Sequence, residues 1–228
     1  MTVIGSLTVV AIPPYEAYLF DLDGTLIDTA PDLMHALNAT LSHAGYEQVD
    51  LALTRHWVGH GAKVMLAQAL DHQNAQALAD AELEILFQFF LERYGERIAD
   101  ASVPYAGVVE SLQALRARTW KLGVVTNKRQ DLSMQLLREL DLYQYFNIVV
   151  GGDTLQVRKP EPQPVLYACN ELEAAAEETL FVGDSTTDVA AARAAGCPVV
   201  CVRDGYNQGA PASSLGADHV IDSFCQLV

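Results

Sequence analysis

From residue 100 onward the chain repeats one local pattern: a stretch of helical period, then a short β-rich run that stops at a polar residue or a glycine. Val108 to Leu115 is helical, and Leu122-Gly-Val-Val-Thr126 is a strand ending in a hydroxyl. Asp131 to Leu140 is helical, and Phe146 to Val150 is a strand ending in Gly151-Gly152. Pro164 to Leu172 is helical, and Leu180-Phe-Val-Gly-Asp184 ends in a carboxylate. Thr187 to Ala195 is an alanine-rich helix stopped by Gly196, and Pro198 to Val202 is one more strand. Upstream, Tyr18 to Asp21 is another short apolar run that emerges at a carboxylate. Strands that alternate with helices form a parallel sheet covered on both faces. The pattern therefore predicts an α/β fold, a Rossmann-like parallel-sheet core.

The alternation is interrupted between the first strand and the rest, because everything from Thr29 to about Asp100 has helical period. Thr29-Ala-Pro-Asp32 reads as a capping box with Pro31 in the first turn, followed on one face by Leu33, Leu37, Thr40 and Leu41. Ala62, Met65, Leu66, Ala69 and Leu70 repeat the spacing, and Leu83, Leu86, Phe87, Phe90, Leu91 and Tyr94 make a longer stripe. With a shorter segment around Leu53–Trp57, this predicts an inserted all-helical cap of about four members. The expected division is an N-terminal extension at 1–16, a core from 17–29 and 100–228, and a cap at 30–99. The extension lacks a basic n-region and a small-residue cleavage site and is too short to span a bilayer, so a frayed or edge-pairing segment is expected.

Charge narrows the function classes. The 228 residues carry 14 Lys plus Arg against 29 Asp plus Glu, a net charge of −15, which opposes nucleic-acid binding and adhesion to anionic membrane. Half the residues are apolar, which excludes wholesale disorder. The four cysteines (Cys169, Cys197, Cys201, Cys225) form no CxxC. Cys197 and Cys201 would lie ~13 Å apart along a strand, so both read as reduced core thiols and the expected location is the cytoplasm.

Ligands of an open parallel sheet gather at the carboxyl ends of its strands. There the sequence places Asp21 and Asp23, Thr126 and Asn127, Arg158 and Lys159 in a loop after Gly152, and Asp184 and Asp188. Each has an ordinary alternative role. Asp21-Leu-Asp23-Gly24 can be an Asx-turn, Thr126-Asn127 a helix cap, Lys159 a solvated loop lysine, and Asp188 the partner of Ser185 in a capping box. Taken together, the strand ends deliver the groups that a phosphate–metal site needs. Five of the six histidines (His35, His43, His56, His60, His72) lie in the cap, so oxygen ligands suited to Mg²⁺ are expected rather than zinc. The chain has no GxxxxGK, GxSxG or HExxH.

FDLDGTLIDT at 20–29, VVTNK at 124–128, Lys159-Pro160 and FVGDSTTDVAAARAAG at 181–196 resemble the four ordered motifs of the haloacid-dehalogenase superfamily. WVGHGAKVML at 57–66, VVGGDTLQVRKPEPQPVL at 149–166 and CVRDGYNQGAPASSLGADHVI at 201–221 are similar, more narrowly, to the bacterial phosphoglycolate phosphatases of that superfamily. The resemblance implies a Mg²⁺-dependent phosphomonoesterase that converts 2-phosphoglycolate to glycolate and phosphate. It implies Asp21 as nucleophile, forming an aspartyl-phosphate, and Asp23 as the acid and base. Thr126, Asn127 and Lys159 would bind the phosphoryl group. Asp21, the backbone carbonyl of Asp23 and Asp184 would hold the metal, with Asp188 acting in a second shell or through water. Gly24 would let the backbone pass close to the phosphate. Asp23 also argues against the dehalogenases, which lack that second acid.

The Gly59-His60-Gly61 turn is the expected point of contact between cap and substrate, with His60 or Lys63 meeting a carboxylate. A small phosphorylated metabolite is the expected partner. Action on another small ester such as a sugar phosphate, a phosphomutase, and a non-catalytic phosphate binder all stay open at this point.

Overall fold

The computed structural model describes residues 12–73, 78–119 and 121–228. The N-terminal extension expected at 1–16 lies, for residues 1–11, outside the described residues. In chain order the elements begin with β1 (Ala17–Phe20), β2 (Ile27–Asp28), α1 (Ala30–His43), α2 (Leu51–Trp57), α3 (Ala62–His72) and α4 (Asp80–Glu96). They continue with β3 (Val103–Pro104), α5 (Val108–Arg118), β4 (Leu122–Val125), α6 (Gln130–Glu139), β5 (Ile148–Val150) and α7 (Gln163–Glu171). The last are β6 (Thr179–Gly183), α8 (Thr186–Ala195), β7 (Val199–Val202) and β8 (His219–Ile221). Six strands form one parallel sheet in the order β5-β4-β1-β6-β7-β8.

The strands are continuous apolar runs because both faces of the sheet are covered. Tyr18 and Phe20 of β1 point into one layer with Leu122, Val124, Leu180, Val182 and Val200. Ala17 and Leu19 point into the other, with Val125, Phe181, Val199 and residues of α7 and α8. β1 is the hub, paired in register with β4 through Tyr18↔Leu122 and with β6 through Tyr18↔Leu180. All of its residues are buried. The helical stretch α1–α4 packs its apolar stripes together, α1 against α4, with Phe90 and Tyr94 stacked and fully buried.

Two features exceed the sequence reading. β8 adds a sixth strand, and β2 pairs antiparallel with β3 through Ile27↔Pro104 and Asp28↔Val103. These runs of two or three residues are too short to carry a period. The ribbon joins the point where the chain leaves for α1 to the point where it returns after α4.

The capping box expected at Thr29 and Asp32 does not form. Thr29 makes no side-chain cap bond, and its hydroxyl donates instead to Asp23 Oδ1 at 2.8 Å. The hydroxyl oxygen of Tyr206 accepts from the backbone N–H groups of Thr29 and Ala30 at 2.7 and 2.9 Å, so a residue 176 positions away caps α1. Asp32, buried, accepts from the N–H of Ala101 and from both the N–H and hydroxyl of Ser102. The Ser185–Asp188 capping box does form at the start of α8. All four cysteines are free, and the nearest thiol to Cys197 is that of Cys169, 3.9 Å away, rather than Cys201. No helix among the described residues is long and apolar enough to cross a membrane.

Removing the Asp32 carboxylate leaves the buried N–H and hydroxyl of Ser102, and the N–H of the exposed Ala101, without their acceptor. Asp32→Ala is therefore expected to lower unfolding stability by about 3 kcal/mol. Urea denaturation measures this, and a loss below about 1 kcal/mol would mean that water replaces the carboxylate at the ribbon.

Candidate active site

Parallel register brings the carboxyl ends of β1, β4, β5 and β6 to one edge, where the polar residues of the sequence motifs converge. Asp21 follows β1, Thr126 follows β4, and Asp184 follows β6 with no intervening residue. Lys159 enters from the loop after β5, and Asp188 comes from the first turn of α8. Lys159 is the centre of the cluster: its Nζ lies 2.9 Å from Asp21 Oδ1 and 2.6 Å from Asp188 Oδ1. Asp21, Asp184 and Asp188 each offer an oxygen within 4.8 Å of the others, and all are buried.

Their hydrogen bonds divide the three acids. Asp188 is saturated: Lys159 takes Oδ1, while Oδ2 accepts from the N–H groups of Asp184 and Ser185 and from the Ser185 hydroxyl. Asp184 is held by the Thr25 hydroxyl at 2.8 Å and by the N–H of Tyr206 at 2.8 Å. Asp21 Oδ1 is left buried without a hydrogen bond, since Lys159 approaches at ion-pair distance but off the bonding direction. Asp21 Oδ1, met only by the Lys159 ammonium, faces Asp184, whose two oxygens each accept a single hydrogen bond, and such a pair of carboxylates fits a hard divalent cation. Asp188, with both oxygens committed, is suited to orienting its neighbours.

Electrostatics supports that fit. Burial, reinforced by Asp188 and Asp23 and opposed by Lys159, pushes the Asp21 carboxyl up to about 6. Burial, then the charges of Asp188 and Asp21, raises Asp184 well above the ordinary carboxylate range. The site as it stands holds more negative charge than Lys159 neutralises.

Asp23, less buried, points to the adjoining cavity. Its Oδ1 accepts from the Thr29 hydroxyl and from Lys128 Nζ at 3.0 Å. Lys128 is the last residue of the VVTNK motif. It is buried and lies 4.4 Å from the centre of the Tyr94 ring. Burial works against its ammonium, but Asp23 and Tyr94 outweigh that and hold its pKa above the ordinary lysine value. A cavity of about 270 Å³ is lined by Asp21, Asp23, Thr126, Asn127 and Lys128 from the sheet edge and by Gly59, Gly61, Lys63, Phe87 and Tyr94 from the helical stretch.

The other residues singled out in the sequence fall into distinct places. Thr126 is buried on the cavity wall, its Oγ1 accepting from the N–H of Lys128 at 3.3 Å. The Asn127 side chain donates to the carbonyls of Gly59 and Lys159, both at 3.0 Å, so its amide ties the sheet edge to the turn between α2 and α3. Lys63 lines the cavity but pairs with Glu84 at 2.6 Å. His60 turns to Gln208, with Nε2 atoms 2.6 Å apart. Gly24 adopts φ +86°, and a Cβ there would lie 2.6 Å from Asp184 Oδ2 and 2.7 Å from the Tyr206 ring. Its close approach is therefore to Asp184 and Tyr206. Thr25 and Tyr206, which orient Asp184, lie within the motif stretches at 20–29 and 201–221, but the sequence does not show their role because each acts across more than 20 residues.

The raised carboxyls fix the sign of a pH effect. In the metal-free protein, folded Asp21 holds its proton up to about 6 against an ordinary 3.8, so the fold binds more protons than the unfolded chain between those values. That contribution to stability is complete below pH ~4 and is lost as pH rises through ~6. Thermal unfolding in chelator is expected at lower temperature at pH ~7 than at pH ~5, with Asp21→Asn reducing the difference. An Asp21→Asn variant with the same pH dependence as the wild type would overturn the assignment of that effect to Asp21.

Residues 18–202 match the family model described as haloacid dehalogenase-like hydrolase. The chain is 42% identical over 214 residues to a phosphoglycolate phosphatase of Chromobacterium violaceum, covering 93% of this chain and 94% of the relative. It is 38% identical over 213 residues to a phosphoglycolate phosphatase of Thiobacillus denitrificans, with the same coverage. A crystal structure of a predicted phosphoglycolate phosphatase from Haemophilus somnus superposes with a TM-score of 0.89 at 33% identity, covering 95% of this chain and 97% of that one. With the motif match, the sheet order and the strand-end acids all in agreement over most of its length, this chain belongs to the haloacid dehalogenase-like hydrolases.

Proposed function

We propose that the protein is a Mg²⁺-dependent phosphomonoesterase that hydrolyses 2-phosphoglycolate to glycolate and phosphate. One observation carries the chemistry: Asp21, Asp23, Thr126 and Lys128 face a single cavity whose other wall is helical, with Lys159 bridging Asp21 and Asp188 beneath it. The substrate class follows the relatives, which are named phosphoglycolate phosphatases and are spanned over 94% of their length.

In this reading a carboxylate oxygen of Asp21 attacks phosphorus as the bond to the glycolate oxygen breaks, giving an aspartyl-phosphate. Asp23 gives its proton to the departing alkoxide. Water then attacks phosphorus, Asp23 takes a proton from it, and phosphate leaves as the Asp21 carboxylate is restored. Thr126 donates its hydroxyl to the phosphoryl group, and Lys159 balances the charge on Asp21 and on the transferring group. Asn127 holds the Gly59 turn over the phosphoryl pocket. Asp21, Asp184 and the backbone carbonyl of Asp23 would hold Mg²⁺, with Asp188 fixing Lys159 and the loop that carries Asp184. When bound, the ion supplies positive charge to the nucleophile and the phosphoryl oxygens, offsetting repulsion of about 4 kcal/mol per unit pair at 4 Å and effective ε near 20.

Residues 30–99 act as a cap over a core made of 17–29 and 100–228, closing the cavity so that bulk water is excluded while glycolate leaves. The four free thiols suit a reducing compartment, which supports a cytoplasmic location in this reading.

Phosphate release from 2-phosphoglycolate is expected to vanish in excess EDTA and return with Mg²⁺. Asp21→Asn is expected to lower kcat by at least ~10³-fold; full activity in EDTA or in Asp21→Asn would overturn the chemistry. Across a panel of sugar phosphates and an aryl phosphate, 2-phosphoglycolate is expected to lead in kcat/KM by ~100-fold. A flat panel would leave the chemistry and remove the substrate.

A further inference from the structure

The cavity wall carries four cations, and they differ in what they already hold. Lys128 is paired with Asp23, Lys63 with Glu84, and Arg129 with Asp131. Arg158 lines the same cavity, is exposed, and its side chain has no ion pair or hydrogen bond among the described residues. It precedes Lys159, so one loop sends consecutive cations to two places. Lys159 goes down onto Asp21 and Asp188, while Arg158 goes up to the seam with the helical stretch.

That seam is shaped around the guanidinium. Gly61 has φ +93°, and a Cβ on it would lie 3.0 Å from Arg158 Nη1 and 3.4 Å from the carbonyl oxygen of Asn127. The guanidinium thus sits against the Gly59–Gly61 turn, near the strand end that carries Thr126, and a side chain at Gly61 would crowd it. Asn127 fastens the same turn through Gly59. Arg158 is therefore a fork of donors on the cavity wall, close to the phosphoryl pocket, with no anion of the protein's own to satisfy it. Guanidinium matches a carboxylate with two parallel hydrogen bonds, which an ammonium cannot do.

We propose that Arg158 is the specificity-determining residue that binds the second anionic group of the substrate, the carboxylate of a short phosphorylated hydroxy acid. The proposal rests on the phosphatase reading above and moves carboxylate recognition from His60 and Lys63 to the core loop. His60 is turned to Gln208, and Lys63 already has Glu84. The neighbouring Lys159 takes the phosphoryl end, so the loop reads both ends of a small dianionic ester.

The test compares kcat/KM for 2-phosphoglycolate and for ethyl phosphate, in which a methyl group replaces the carboxylate. Wild type, Arg158→Met and Arg158→Lys are measured under the same Mg²⁺ conditions. Wild type is expected to prefer 2-phosphoglycolate, and the ratio of the two values is expected to fall by ~100-fold in R158M, chiefly through KM, and by less in R158K. Because the ratio is taken within each variant, a general loss of folded protein cancels. A ratio unchanged in R158M overturns the role of Arg158 while leaving the phosphatase reading intact. A wild-type enzyme that turns over ethyl phosphate as well as 2-phosphoglycolate overturns the substrate reading itself, and the role of Arg158 with it.

Discussion

Asp21, Asp184 and Asp188 share a buried space with a single ammonium, and the surrounding structure is organised around that imbalance. Like charges at such distances repel by a few kcal/mol per pair even at an effective ε near 20, and burial removes the water that would screen them. The protein answers with Lys159 between Asp21 and Asp188, with the Thr25 hydroxyl and the Tyr206 N–H on Asp184, and with two backbone N–H groups on Asp188. Asp21 Oδ1 has the Lys159 ion pair but no hydrogen bond in good geometry. A site left in deficit by its own chain is ready for an external cation and a reacting phosphoryl group. In a protein of net charge −15, that local reversal is what would let an anionic ester approach at all.

The sheet makes this cluster possible by geometry. β1 is central and pairs with β4 and β6 on its two sides, so three strands that end in step release their next residues side by side. Both faces of the sheet are filled by apolar side chains, which leaves the carboxyl edge as the place where polar groups can gather. The Asp184 arm is then braced from afar by the loop containing Tyr206. The phenol of that tyrosine also caps α1 and donates to Asp28. Position of the acids and attachment of the helical stretch are thus set by the same side chain.

What was legible in the sequence was what local chemistry dictates. Apolar runs closed by Asp21, Thr126 and Asp184 announced strands and their functional ends, because a strand buried on both faces has little choice of composition. The helical stripes from Leu33 to Tyr94 were equally plain. The Thr29–Asp32 spacing matched a capping box, yet the Thr29 hydroxyl is taken by Asp23, six residues back, and the Asp32 carboxylate by Ser102, 70 residues on. Lys128 and Arg158 were visible as letters, but whether each meets an acid, an aromatic ring or open space depends on which helix faces the sheet edge. β2, β3 and β8 are too short for any period and exist because a neighbour is in register.

The two-residue ribbon of β2 and β3 sets the outgoing and returning chains side by side at Ile27 and Pro104, about 4.8 Å apart as neighbouring strands are. An inserted segment whose two ends are held at that spacing asks nothing of the sheet except a doorway of fixed width. Any helical unit able to span that doorway can be accepted without disturbing the order of the strands or the acids behind them. The ribbon therefore works as a clasp: it gathers both ends of the helical stretch at one point close to the carboxyl end of β1, whatever the helices between them do.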